Sequence, residues 1–310
     1  IPNSSQNPDI RQITQNKKKI IILNKYDLAD NAKTEKWIEY FNKKERKVVL
    51  ADSLTGKGVN ETTRQIQKIM EDEMSESRYI LSGKDTSGND VTAEAAAVVI
   101  DPETGYVVGA VGQLGEKTTA RGLNRINSPR QTGSSIKPLS DVLPGIEEGI
   151  ITPATIYLDT RTTFGGTWTP KNYNRYTGKR TVRSALTTSQ NIPFIKIQAE
   201  LTPAKGIEYL KKMGVSTLDD QKDNNLASVA IGGFTYGISP LEMAAAYAMI
   251  SNDGVYIKPT FYTNAVDSNG YTVLEPSQTT ERVCSVQTAY IVKDLMKSVV
   301  NDSAGTATYT

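Results

Sequence analysis

The chain has 310 residues, enough for two domains and a sizeable core, and its net charge of +2 is too small to argue for a nucleic-acid partner. It has no histidine, which excludes a Ser-His-Asp triad, a Cys-His dyad and any His-ligated metal. Its one cysteine, Cys284, excludes an internal disulfide and a thiolate zinc site, and its Arg-Val-Cys-Ser context reads as a buried small residue. Lysines cluster at Lys17-Lys18-Lys19 and Lys43-Lys44, which reads as a solvated face. No apolar run approaches a membrane span and no signal-peptide pattern opens the sequence, so the chain reads as soluble.

Residues 1–76 read as β-α-β-α. Lys18 to Asn24 is a short apolar run of the buried parallel-strand type. Asn31 to Lys44 carries Trp37, Tyr40 and Phe41 at helical spacing, Val48 to Leu50 is a second strand, and Glu61 to Met70 a second helix. The first strand runs into Asn24-Lys25-Tyr26-Asp27, an N-K-x-D element whose carboxylate can accept two hydrogen bonds from a guanine edge while the lysine stem lies along the ring. With Ala51-Asp52-Ser53-Leu54-Thr55-Gly56-Lys57-Gly58 after the second strand and the opening Ile1-Pro2-Asn3-Ser4-Ser5-Gln6-Asn7-Pro8, this segment resembles the circularly permuted GTPases of ribosome assembly. The resemblance implies guanine recognition by Asn24, Lys25 and Asp27. The phosphate-cradling G-x-x-x-x-G-K-[ST] loop is absent, so GTP is expected to bind weakly at most and no other cofactor is expected.

The acidic stretch Glu71 to Ser77 and the turn-rich Ser82 to Asp90 mark a boundary, placing a GTPase-like fragment at 1–76 and a second domain at 77–310. Ala95 to Ile100 and Tyr106 to Val111 are apolar strands joined by Asp101-Pro102-Glu103-Thr104-Gly105, in which glycine is free to take positive φ. An antiparallel pair followed by a helical region reads as α+β.

Chemistry concentrates in Arg130-Gln131-Thr132-Gly133-Ser134-Ser135-Ile136-Lys137-Pro138-Leu139. Proline is tolerated in the first turn of a helix, so Ser134 belongs at or just before a helix start, with Lys137 on the same face. A helix N-terminus favours a developing alkoxide and disfavours an ammonium, and burial disfavours the ammonium further, so Lys137 can serve as the base for Ser134. Downstream, Ser189-Gln190-Asn191 follows a helical pattern over Val182 to Thr188. S-x-x-K plus S-x-N are two of the three signatures of penicillin-interacting acyl-serine enzymes.

Five separated stretches, Asn124-Arg125, the serine segment, Trp168-Thr169-Pro170-Lys171-Asn172-Tyr173, Ser189-Gln190-Asn191-Ile192-Pro193 and Gly237-Ile238-Ser239-Pro240-Leu241-Glu242-Met243-Ala244-Ala245-Ala246-Tyr247, occur in order. Residues from about 80 on thereby closely resemble the transpeptidase domain of class A penicillin-binding proteins. That resemblance implies a fold of the penicillin-binding protein and serine β-lactamase type. It also implies peptidoglycan cross-linking through an acyl-enzyme on Ser134, with Lys137 as base, Ser189 as proton relay and Asn191 holding substrate and lysine. Stem peptides ending in D-Ala-D-Ala and β-lactam antibiotics would be the partners, and the location would be extracytoplasmic at the cell wall, whereas the N-terminal segment resembles a cytoplasmic protein.

Thr132 stands where that family usually has proline. No K-T-G or K-S-G occurs in the chain, although Ser303-Ala304-Gly305-Thr306-Ala307 resembles the lead-in to that strand. The expectation from sequence is therefore an incomplete domain with impaired turnover, since losing one oxyanion donor costs ~10²–10³ in rate. The competing readings are a serine D,D-carboxypeptidase or β-lactamase, a guanine-nucleotide-binding fragment, and a non-catalytic chimera.

Overall fold

A computed structural model describes residues 20–24, 28–43, 46–51, 58–76, 78, 80–117 and 122–308. β1 (Ile20–Asn24) and β2 (Lys47–Ala51) pair in parallel, from Ile20 opposite Lys47 to Asn24 opposite Ala51. A parallel pair needs a crossover, and α1 (Asn31–Asn42) supplies it, capped where Asp30 accepts from the Lys33 N–H at 3.1 Å. Trp37 stacks on Phe41 at 5.8 Å, and Phe41 and Val49 are buried. α2 (Val59–Ser75) is longer than its apolar spacing predicts. The acidic run Glu71 to Glu73 forms its last turn, because Gln67 donates to Glu71 at 2.6 Å and Arg78 pairs with Glu73 at 3.5 Å and Glu76 at 3.3 Å.

Contacts divide the chain into two units, one running to Ala97 and taking in Val108–Gly122, the other formed by Val98–Val107 and Leu123–Thr310. The first also holds an exposed hairpin of β3 (Ser82–Lys84) and β4 (Asp90–Thr92). β5 (Ala97–Ile100) and β6 (Val107–Val111) form the hairpin expected from sequence. Its turn closes with Asp101 donating its N–H to Tyr106 at 2.9 Å, and Gly105 takes a φ of +71°. A side chain at Gly105 would also strike Ile257.

The larger unit is a helical cluster with two-stranded sheets around it, an α+β arrangement. Its central element begins as a 3-10 turn (Gly133–Ile136), continues as a π-helical segment (Pro138–Val142) and ends as α3 (Leu143–Glu147). Pro138 and Pro144 lack the N–H that a regular ladder would use, and the Leu143 N–H reaches back five residues to Pro138 instead. β7 (Ile156–Asp159) pairs antiparallel with β8 (Gly178–Thr181), followed by α4 (Val182–Thr187), α5 (Ile192–Leu201), α6 (Pro203–Lys212) and α7 (Leu226–Ile231). α8 (Pro240–Ser251) starts with a reciprocal cap between Ser239 and Glu242. β9 (Val255–Ile257), the small pair β10 (Ala265–Val266) and β11 (Thr272–Leu274), β12 (Thr280–Arg282) and α9 (Val286–Asn301) complete the unit, with β9 paired to β12. Leu139, Leu143, Phe194, Ile197, Leu210, Val229, Ala246 and Val292 meet in a fully buried core directly beneath the serine segment. Cys284 is buried as expected, and burial pushes its thiol up to about 12, well away from thiolate chemistry.

Candidate active site

The backbone before Ser134 is clamped. Arg130 and Ile238 exchange N–H to carbonyl bonds at 3.1 and 2.9 Å, and Gln131 donates its amide to the Phe234 carbonyl at 3.2 Å. Two glycines make this approach possible. Gly237 (φ +86°) lies against the Arg130 carbonyl, and Gly232 (φ +77°) lies against Gly133, so that a β-carbon at either would collide with backbone. From the other side, Ser140 donates to the Val229 carbonyl at 2.8 Å and Tyr247 donates to the Ser135 carbonyl at 2.6 Å. Ser134 itself is exposed, and its hydroxyl makes no hydrogen bond among the described residues.

Lys137 points the other way, into the protein. It is fully buried, and its Nζ donates to the Asn191 Oδ1 at 2.8 Å, the Ser189 carbonyl at 3.0 Å, the Gln190 carbonyl at 3.1 Å and the Ser189 Oγ at 3.3 Å. It also sits 5.2 Å from the centre of the Phe194 ring. Burial depresses its pKa to about 8, against the opposing pull of Asp141. Asp141, one turn further on, is itself fully buried, and burial raises its pKa well above its ordinary value, against the opposing effects of Lys137 and Ser140. Burial thus works against the charged form of both groups, and for Lys137 it outweighs the opposing pull of Asp141, which favours the free amine. A free amine at Nζ has two N–H donors and one lone pair, which is able to take a proton from a hydroxyl.

The Ser189 turn is strained. Ser189 has a φ of +54°, a conformation that costs about 1–2 kcal/mol for a residue with a β-carbon. It is held by N–H bonds from Ser189 to Leu186 at 3.1 Å and from Gln190 to Ala185 at 3.0 Å. Asn191 occupies the N-cap position of α5, yet its side chain does not cap the helix. Its Oδ1 faces Lys137, and its Nδ2 donates to the Lys171 carbonyl at 2.8 Å.

Of the predicted site residues, the structure brings Lys137, Ser189 and Asn191 into direct contact and places Ser134 one turn before Lys137. Lys25 and Asp27, the Asn24 side chain, the opening Ile1 to Pro8 and the Asp52 to Lys57 stretch lie outside the described residues. The segment Ser303 to Thr308 folds as turns. Thr306 donates to the Thr187 carbonyl and Ala307 to the Val299 carbonyl, both at 3.1 Å, which fastens it to the ends of α4 and α9. Sequence reasoning assigned no role to Asp141, Asp159 or Gly232. The i, i+4 spacing of Asp141 from Lys137 was a signal that could have found the first.

Residues 95–310 match the penicillin binding protein transpeptidase domain. The chain belongs to this family. It is 36% identical over 222 residues to penicillin-binding protein 1F of Bacillus subtilis, an alignment covering 71% of this chain and 30% of that protein. It is 34% identical over 232 residues to penicillin-binding protein 1A of Clostridium acetobutylicum, covering 71% and 28%. The chain thus spans under a third of the length of these curated relatives. Among solved structures, penicillin-binding protein 3 of Mycobacterium tuberculosis complexed with ampicillin superposes with a TM-score of 0.65 at 22% identity, covering 78% of this chain and 57% of that one. Penicillin-binding protein 1A of Haemophilus influenzae gives 0.59 at 23% identity, covering 74% and 40%. The penicillin-binding fold expected from the sequence is therefore the fold of this chain's larger unit, and residues 1–94 lie outside the family match. No helix among the described residues is long and apolar enough to cross a membrane.

Proposed function

We propose that the larger unit is the acyl-transferring domain of a peptidoglycan D,D-transpeptidase, acting on stem peptides that end in D-Ala-D-Ala at the outer face of the cell membrane. The observation that carries this reading is Lys137. A buried lysine with a pKa near 8, anchored by Ser189 and Asn191 one turn from an unbonded serine hydroxyl, is built to move protons. Ser134 Oγ bonds to the carbonyl carbon of the penultimate D-alanine and passes its proton to Lys137 Nζ. The C–N bond to the terminal D-alanine breaks, and the leaving nitrogen takes that proton through the Ser189 hydroxyl. An amine of a neighbouring stem then attacks the ester, yields a proton along the same path, and Ser134 leaves as the hydroxyl. Asn191 keeps Lys137 in place and offers its amide to the substrate backbone.

β-Lactams are cyclic mimics of the same acyl donor and acylate the same oxygen. Incubation with a fluorescent penicillin, followed by mass-spectrometric mapping, is expected to give one adduct, at Ser134, that is lost in Ser134→Ala. An adduct elsewhere would sink the assignment. Release of free acid instead of a cross-linked dimer from a stem-peptide donor and acceptor would mark a carboxypeptidase.

The parallel β1–α1–β2 unit favours a second reading for residues 1–76, a GTPase-like fragment reading guanine through Asn24, Lys25 and Asp27. Base contacts without a phosphate loop supply little affinity, so calorimetry is expected to give a dissociation constant no better than roughly 1 mM, about 4 kcal/mol. Micromolar, Mg²⁺-dependent binding would show that phosphate contacts exist after all.

A further inference from the structure

A network outside the S-x-x-K and S-x-N motifs ends on the lysine. The first N–H groups of a helix need acceptors, and the N-cap side chain normally provides one. In α5 that duty falls to a residue from a distant loop. Asn172 Oδ1 accepts from the Asn191 N–H at 2.8 Å and the Ile192 N–H at 3.3 Å. Asn191 is thereby released from capping, and its own Oδ1 is free to hold Lys137 at 2.8 Å. Asn172 is oriented in turn by Asp159, a fully buried residue of β7. Asp159 Oδ1 accepts from Asn172 Nδ2 at 2.8 Å, while its Oδ2 accepts from the Thr177 N–H at 2.8 Å and the Thr177 hydroxyl at 2.6 Å. A carboxylate that only accepts leaves the Asn172 amide one orientation, with nitrogen toward Asp159 and oxygen toward α5.

We propose that Asp159 and Asn172 are positioning residues for the reaction: they cap α5 in place of Asn191 and so commit the Asn191 side chain to Lys137. The inference rests on the acyl-serine reading but concerns the lysine itself, so the two can fail separately. Asp141 on the lysine's own helix is the ionisable group whose charge acts on Lys137. The Ser189 turn and α5 face it with Ser189, Gln190, Asn191 and the Phe194 ring. Lys196 of α5 is engaged with the Leu158 carbonyl, and Lys171 keeps its side chain exposed. If Asn191 and its neighbours release Lys137, water enters, and the burial that chiefly lowers the lysine's pKa is relieved.

The test is an NMR titration of the full chain labelled with ¹³Cε-lysine, the Lys137 resonance being assigned by Lys137→Arg. The wild type is expected to titrate near 8. Asn172→Ala and Asp159→Asn are each expected to move that midpoint upward by at least about half a unit, and to shift the pH profile of penicillin acylation by the same amount. Asp159→Asn leaves one acceptor oxygen where Asp159 has two, so the Asn172 amide and the Thr177 N–H can no longer both be satisfied and the hold on Asn172 is weakened. Thr177→Val removes one bond to Asp159 without touching Asn172, so it is expected to lower the melting temperature while leaving the Lys137 midpoint in place. An unchanged midpoint in folded Asn172→Ala or Asp159→Asn overturns the proposal. So does an equal shift in Thr177→Val, or failure of both main variants to fold, since the pair would then be structural only. A wild type that forms no penicillin adduct but shows the expected titrations would refute the acyl-serine reading and leave the positioning of Lys137 standing.

Discussion

Replacing Lys137 with methionine is expected to lower the rate of Ser134 acylation by roughly 10²–10⁴-fold, the usual worth of a positioned general base. Methionine is unbranched and close to lysine in length, so the loss reports chemistry rather than a cavity. It leaves the Ser189 and Gln190 carbonyls and the Asn191 Oδ1 without their shared donor, and a thermal melt is needed to confirm that the variant is folded at the assay temperature. The sign of the pH dependence follows from the same group. Only the free amine accepts a proton, and its pKa is lowered from 10.5 to about 8. Acylation by the wild type should therefore rise with pH up to about 8 and level off above it, and the methionine variant should lose that limb. A variant within tenfold of wild type, or a profile flat from pH 6 to 9, would rule out Lys137 as the base.

Phe194→Ala is expected to cost about 3–5 kcal/mol in urea unfolding, the range for truncating a buried aromatic side chain. Phe194 is fully buried in the core shared by the serine element, α5 and α7, and its ring also forms the floor under the Lys137 Nζ. One substitution therefore tests whether core and site are the same packed body. The cavity should admit water beside the ammonium and raise the Lys137 pKa, so that acylation at neutral pH falls even under conditions where the variant is folded. A cost below about 1.5 kcal/mol would mean that the site collapses around the gap, and that the ring is not what keeps Lys137 dry.

The chemistry of the chain was legible because its motifs are local. Ser134 and Lys137 lie three apart at a proline-marked helix start, and the backbone does place them on one turn. Asp101 to Gly105 carries its turn chemistry in its own residue types, and the hairpin formed there. The parallel pairing of β1 and β2 follows from two apolar runs separated by one amphipathic helix. What local pattern does not encode is contact between segments far apart in the chain. Lys137 meets Ser189, Gln190 and Asn191 across more than fifty residues, and its lowered pKa exists only because the core closes over it. The positive φ of Ser189, the burial of the Asp141 carboxyl, and the handing of the α5 cap from Asn191 to Asn172 are likewise products of packing. Each costs free energy when considered locally, and only the surrounding fold offsets that cost. The sequence by itself therefore determined which motif residues the chain carries and in what order they stand along it. The tertiary structure decided their protonation, orientation and mutual reach, because desolvation and hydrogen-bond partnership depend on neighbours that only folding brings together.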